Sequence, residues 1–499
     1  MDSEEKTDPA LTPVIIGVGE CNDRPPEGER GLDSAQLMAS ALVAAACDAG
    51  HGDWIGAIER LHVVPQISWR DIDVPASLAA QTGIPVERIV QAEEATGDSP
   101  TRLLDVAAEA IRRGELSVAA VTGGEALRNA ARRTDRPPQP LFSGSARVAT
   151  DLRRRYGLLV PADIYPLYEN AWRAQQGQSL EQGQAESGAI WAAMSEVAAT
   201  SQGAWLRTPR SAGEIVEATP ANRLIAFPYT KLMVANSSVN QGAAVIVCSL
   251  AHARAAGVPD DRLVYVGAGA AAHEPDEALA RAAFVTPPGM QVTLERVLPR
   301  NGLTIADVEH VELYSCFPCV PKMARAVLGW PEDRSVTVHG GLTFGGGPIA
   351  NYMGHAIAAM VRKIREGARN GLLFGNGGYC SHNHAIVLRG SPVKERAGWS
   401  HDGDQAEADA RRGSIPALTD VIEGELPVET YTVVYDREGE PKYGVVLSRS
   451  PSGERVIAQV PPEDARSLAW LTSGNAEPVG ALGRNRRVGE TLIWSAPTR

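Results

Sequence analysis

Cysteine is scarce in this sequence, with six residues in 499. That is too few for a disulfide framework in a chain of this size, so reduced thiols in a cytoplasm are expected. Long hydrophobic runs are also missing. The longest Ala-rich stretch, Leu37 to Ala49, is too short and too weakly apolar to span a bilayer. The opening Met1-Asp2-Ser3-Glu4-Glu5 has neither a basic flank nor an apolar stretch, so no signal peptide is expected there. Positive charge is in deficit as well: 48 Lys and Arg against 60 Asp and Glu leave a net charge of −12. Such a surface repels phosphate backbones and anionic lipid, so neither nucleic acid nor a membrane is an expected partner. A local basic pocket for a phosphorylated ligand remains compatible with it.

What is present is a globular composition, 44% hydrophobic and 22% charged, in a chain long enough for two to four domains. An apolar run, Val14-Ile15-Ile16-Gly17-Val18-Gly19, reads as a buried strand ending in glycines, and it returns as Val264-Tyr265-Val266-Gly267-Ala268-Gly269. Each copy is followed by a helical stretch, a short acidic turn and a second strand, within Ile58 to Val64 in one half and His310 to Tyr314 in the other. Each half then has an Ala-rich helix and a strand running into paired glycines, Val118 to Gly124 and Leu372 to Gly378. Strands alternating with helices predict parallel sheets covered by helices, here as two packed α/β halves.

The first half is placed at residues 1–127 and 221–262, and the second at 263–390. Residues 128–220 interrupt the rhythm with Pro161-Ala162-Asp163-Ile164-Tyr165-Pro166 and a Gln-rich helical segment, and read as an inserted loop domain. Residues 391–418 are charged, nearly free of apolar periodicity, and read as a linker. Residues 419–499 change character. Thr430 to Tyr435 and Tyr443 to Leu447 flank a hairpin turn, and further short strands predict a small all-β antiparallel barrel.

Three landmarks resemble the thiolases. Gly123-Gly124-Glu125 closes a strand as in the thiolase Gly-Gly-x-Glu turn. Asn236-Ser237-Ser238-Val239-Asn240-Gln241-Gly242-Ala243-Ala244 is similar to the thiolase stretch Asn-x-Ser-x-x-Asp-Gly-Ala-Ala. Leu313-Tyr314-Ser315-Cys316-Phe317, then Gly340-Gly341-Leu342 with Gly346-Gly347-Pro348, then Gly375-Asn376-Gly377-Gly378, follow in thiolase order. The resemblance spans roughly residues 10 to 390. It implies the duplicated, layered α/β/α/β/α thiolase fold and coenzyme A or acyl-CoA as ligand, with no permanently bound cofactor. The tail resembles that of thiolase-like proteins of type 1, which carry a C-terminal β-barrel. Thiolases commonly dimerise through the N-terminal sheet. A homodimer is therefore one expectation, and a monomer, with the barrel covering that surface, is the other.

A thiolase needs a thiolate at a helix N-terminus, where the helix dipole lowers its pKa. Counting back from Gly123-Gly124 through the helix Thr101 to Arg113 puts that position at Gly97, just before Ser99-Pro100, a good helix start. Glycine forms no thioester. The family also uses a His in a Gly-His-Pro triplet, replaced here by Gly347, and a Cys before the last glycine turn, replaced by Phe374. Tyr314 stands where the family has an Asn or His donor, so its hydroxyl is a candidate for that role. Backbone N–H groups near Gly97 and Gly377 remain available as an anion hole.

Each candidate has a plainer alternative. Tyr314 is a catalytic donor or a buried structural phenol. Cys316, part of Cys316-x-x-Cys319, has a redox reading, but buried apolar thiols are the plainer one. Cys380 serves as acid or base only if its turn is reshaped. His339 is a candidate replacement for the missing imidazole, and His384 a supporting group near Cys380. No metal is expected from His382 and His384 alone. Substrate contacts are placed at Gly97, Ser99, Asn236, Ser237, Gly347, Asn351, Gly377 and Gly378, with turn or capping roles as the alternative for the polar ones. Gly267-x-Gly269 lacks the acidic partner of a dinucleotide fingerprint. Three functions follow: an acyl-CoA-binding, nominally acyltransferase protein whose thiolase turnover is lost or atypical; a retro-aldol C–C lyase acting on a β-hydroxyacyl-CoA; or a non-catalytic partner subunit.

Overall fold

The computed structural model describes residues 8–50, 52–133, 150–392 and 401–497. Parts of the predicted insertion and linker, at 134–149 and 393–400, lie outside the described residues.

The first half contributes β1 (Pro13–Asn22), β2 (Arg60–Val63), β3 (Ile89–Gln91) and β4 (Val118–Ala126). Just after the predicted insertion, β5 (Leu224–Ala226) and β6 (Tyr229–Thr230) join the C-terminal sheet instead of the first half, and β7 (Asn240–Ser249) returns to the first half. The second half holds β8 (Val264–Val266), β9 (Ala270–His273), β10 (His310–Leu313), β11 (Asn370–Gly377) and β12 (His382–Arg389). These strands follow the order β10-β11-β12-β8-β1-β7-β4-β2-β3, with β9 on β12. The repeat seen in the sequence is real. In each half a parallel pair (β2 with β4, β10 with β11) is followed by an antiparallel one (β4 with β7, β11 with β12). The sheets are therefore mixed rather than parallel, because the last strand of each half enters from the opposite end. The antiparallel pairing of β1 with β8 joins the halves.

Helix Ser34–Asp48 covers β1, β4 and β7 from outside, and Pro288–Arg300 covers β9 and β12. Between the halves run Ser99–Arg112 and Tyr352–Arg365, each touching strands of both. A helix in such a middle layer must be apolar around its circumference. Ala356 through Val361 are accordingly all buried. The glycines of the strand repeat owe their place to packing. A Cβ on Gly17 would lie 2.9 Å from the Ala49 Cβ of the covering helix, and one on Gly267 would meet Asn301.

The C-terminal strands are β13 (Leu418–Thr419), β14 (Gly424–Tyr435), β15 (Pro441–Arg449), β16 (Arg455–Val460), β17 (Leu482–Val488) and β18 (Thr491–Ser495). A closed ring runs β14-β15-β16-β18-β17 and back to β14. The barrel expected from the sequence is present, but it is not wholly antiparallel and not all-β. A ring with an odd number of strands cannot alternate direction throughout, so one neighbouring pair must be parallel, here β16 with β18. The connection before β17 carries the helix Ala465–Thr472. The segment read as a linker holds the helix His401–Arg411.

The barrel is built onto the insertion. β5 extends the barrel sheet by pairing with β14, and Phe227 donates its N–H to the Val433 carbonyl. The insertion's helix Pro161–Gln175 lies against β14, where Thr430 donates to Leu167 and Asn170 to Tyr431. No described helix is long and apolar enough to cross a membrane.

Candidate functional site

The N-terminus of helix Ser99–Arg112, the ends of β10 and β11, and the start of helix Pro161–Gln175 converge on a cavity of 340 Å³. That volume is in the range of small-molecule sites, and the walls are largely apolar, with Val234, Phe317, Leu342 and Ile349 among them. Of the candidate residues, Gly97, Ser237, Tyr314, Cys316, Gly347, Gly377 and Gly378 line it.

Helix Ser99–Arg112 begins with Ser99-Pro100, and Gly97 sits just outside it. Gly97 is enclosed. A Cβ there would lie 2.6 Å from Cζ of Tyr314 and would also overlap the Asn376 carbonyl. The phenol of Tyr314 thus fills the space a side chain at position 97 would use. The Tyr314 hydroxyl makes no hydrogen bond among the described residues. Burial, then Cys316 and Asp98 nearby, hold its pKa well above the ordinary phenol range. Tyr314 is therefore a neutral donor aimed into the cavity.

The remaining predicted residues stand outside the cavity lining. Ser99 is fully buried and its hydroxyl accepts the Thr96 N–H at 3.1 Å, a local turn contact. The Asn236 carbonyl accepts the Gly347 N–H at 2.8 Å, which fixes the glycine turn from behind. Asn351 donates to the Gly123 carbonyl at 2.8 Å, tying the glycine turns of the two halves together. His339 turns away from the cavity: its Nδ1 lies 3.1 Å from Ser201 Oγ and its ring stacks on His355. Burial lowers its pKa to about 4, so it is neutral near pH 7. His384 pairs with Asp105 at 3.0 Å in the middle layer. Cys380 is buried, with φ of 59° in the left-handed region, and donates its N–H to the Tyr165 hydroxyl.

Neither thiol near the cavity is a nucleophile at neutral pH. Burial pushes Cys316 up to about 12 and raises Cys380 further. All six cysteines are free, and Cys319 packs its sulfur against the Tyr165 carbonyl at 3.8 Å.

Two residues not singled out by the sequence matter here. Tyr165 lines the cavity, stacks on Phe317 at 4.5 Å, and reaches the Gly378 carbonyl at 3.3 Å. It lies in the Pro-rich Pro161–Pro166 stretch, whose two prolines were the available signal. Asp98 is buried beside Gly377, and among the described residues neither of its oxygens meets a donor in good hydrogen-bond geometry. Burial would raise its pKa, yet His382, Thr96 and Arg102 hold it below the usual carboxylate range. Its negative charge opposes any second anion at this end of the cavity.

The C-terminal residues 408–490 match the family described as the thiolase-like protein type 1 additional C-terminal domain. Among curated proteins no sequence match is found. Among solved structures, the chain is similar to a monomeric SCP2-thiolase-like protein type 1 from Mycobacterium smegmatis, with 29% identity and a TM-score of 0.83 over 98% of this chain and 99% of that one. An Ltp2-ChsH2(DUF35) aldolase is 19% identical, with a TM-score of 0.60 over 76% of this chain and 97% of that one. A human mitochondrial 3-ketoacyl-CoA thiolase in complex with CoA is 16% identical, with a TM-score of 0.54 over 77% of this chain and 99% of that one. The last two likenesses show the fold alone. The repeated α/β halves, the five-stranded closed barrel, the C-terminal match and the full-length likeness together make this chain similar to the thiolase-like proteins of type 1: it has the thiolase fold and carries the additional C-terminal domain described for that group.

Proposed function

We propose that this protein binds acyl-CoA thioesters in the cavity, with the thioester carbonyl facing the Tyr314 hydroxyl, and that it forms no acyl-enzyme. The observation that carries this reading is the Tyr314 ring packed over Gly97, where a nucleophile's side chain would otherwise stand. The cavity walls offer an acyl chain apolar contacts from Val234, Leu342 and Ile349. A neutral phenol is suited to donate to a carbonyl oxygen. The buried Asp98 charge argues against a site that accumulates an enolate. No carboxylate, histidine or lysine is among the residues lining the cavity, so a general base at neutral pH is missing there. The chain is therefore read as an acyltransferase relative whose thiolase turnover is lost. The test is calorimetric titration with acetyl-CoA and a longer acyl-CoA. Wild type binds both, and Tyr314→Phe weakens binding by up to about tenfold, the worth of one hydrogen bond. Absence of binding in wild type contradicts the proposal.

A second reading, C–C cleavage of a β-hydroxyacyl thioester, would use the same Tyr314 hydroxyl as donor, with the missing base and the Asp98 charge weighing against it. Release of an aldehyde or ketone by wild type, abolished in Tyr314→Phe, would establish it in place of pure binding.

A further inference from the structure

Outside the cavity, two clusters each gather three potential metal ligands: Glu20 with His339 and His355, and Asp105 with His384 and His401. In the first, Glu20 already has a cation, because Arg362 donates to its second oxygen. A guanidinium there occupies the place of a metal's charge, and this cluster carries no site. The second is built differently. Asp105 is 2% exposed, and one oxygen, Oδ2, takes both Nε2 of His384 at 3.0 Å and Nε2 of His401 at 3.1 Å. The three donor atoms lie within 4.8 Å of one another.

We propose that Asp105, His384 and His401 form a binding site for one divalent transition-metal ion, zinc by preference. A tetrahedral zinc with ligands at about 2.0–2.1 Å separates those ligands by roughly 3.4 Å. The two Asp105–His separations, 3.0 and 3.1 Å, are within a few tenths of an ångström of that value, and the two imidazole nitrogens lie within 4.8 Å of each other. Two imidazoles and one carboxylate select zinc, cobalt or iron over calcium or magnesium, which take all-oxygen shells. Both imidazoles already meet one oxygen of Asp105 through hydrogen bonds, and an ion bound there would take the place of the shared protons.

The surroundings resemble an outer ligand shell. The second oxygen of Asp105 accepts the Gly269 N–H at 3.2 Å. A Cβ on Gly269 would lie 2.7 Å from the Asp105 carboxyl carbon, which gives this glycine a role unrelated to dinucleotides. His401 Nδ1 faces Asp404 Oδ2 at 3.9 Å, and Asp404 is clamped by Arg300 at 2.7 and 3.0 Å. Such carboxylate–histidine contacts fix a ligating ring. His384 Nδ1 finds no partner among the described residues. The side chain of His401 is 40% exposed, which gives an ion a path from solvent.

The three ligands come from helix Ser99–Arg112, β12 and the first residue of helix His401–Arg411. None lines the cavity. The metal would therefore be structural, pinning the helix that leads to the barrel onto the same middle-layer helix that carries Gly97 at its head.

The test uses the full-length protein, stripped with a chelator and titrated with cobalt(II). Wild type should take up one equivalent with intense visible ligand-field bands, zinc should displace it, and the melting temperature should rise on loading. His401→Ala, at an exposed helix start, should keep the wild-type circular dichroism. Its loss of cobalt affinity should exceed the about 10- to 100-fold typical of outer-shell changes. Glu20→Gln should bind as wild type. Sub-stoichiometric uptake by wild type, unchanged affinity in His401→Ala, or loss in Glu20→Gln would each overturn the proposal.

Discussion

Tyr314 and Gly97 exclude one another's alternatives: a Cβ on Gly97 would stand 2.6 Å from the phenol Cζ. The exchange of side chains is reciprocal. The helix start has no side chain at position 97, and the phenol at the strand end opposite fills that space.

Restoring the sulfur alone should therefore fail. Gly97→Cys is expected to destabilise the protein by about 1–3 kcal/mol through overpacking and to show no thiolysis of an acetoacetyl thioester. Adding Tyr314→Ala should recover part of the stability, because the ring is one of the two obstacles and the Asn376 carbonyl the other. Urea denaturation of the single and double variants measures both.

Tyr314→Phe should leave stability within about 0.5 kcal/mol of wild type, since the hydroxyl has no hydrogen bond among the described residues to lose. A larger loss in thermal or urea unfolding would mean that the hydroxyl is structural and would weaken its assignment as a ligand donor.

Glu125 offers a pH signature. Buried in the Gly123–Glu125 turn, it accepts the N–H groups of Ile67 and Ser68, and burial raises its pKa from 4.5 to about 7. The folded state then holds a proton that the unfolded state releases near pH 4.5. This contribution is complete below pH 4.5 and fades as the pH climbs to about 7, by on the order of 3 kcal/mol. The stability difference between wild type and Glu125→Gln, followed from pH 4.5 to 7.5, should shrink or reverse by that amount.

Arg455 joins the barrel to the second half. Its side chain is fully buried, doubly bonded to Glu429, and donates to the carbonyls of Leu279 and Arg281. Arg455→Met leaves Glu429 with Arg449 as its remaining cation and those carbonyls short of a donor, and should cost about 2–3 kcal/mol in chemical denaturation.

Much of the fold lay open in the sequence because its signals are local. Strand runs ending in glycine, helix starts such as Ser99-Pro100, and hairpin turns need no distant partner to be recognised. Pairings across long separations did not. Nothing in Leu224 to Ala226 announces that this strand will meet Val434 of the barrel. Helix His401–Arg411 escaped because charged residues dominate it. Arg411 pairs with Glu407 on its own helix and with Glu295 on the neighbouring one, and such ion pairs leave no apolar stripe. At the site, backbone-dependent positions such as Gly97, Gly347 and Gly377 were legible through motif order. His339, Cys380 and His384 were plausible by type, yet the fold points them elsewhere, and Asp105 and His401 meet His384 only in three dimensions.

The most direct test of the central claim is intact-protein mass spectrometry after incubation with an acetoacetyl thioester, at concentrations where calorimetry shows the cavity occupied. Tyr314 over Gly97 predicts an unmodified mass throughout. A protein heavier by one acyl group would contradict it.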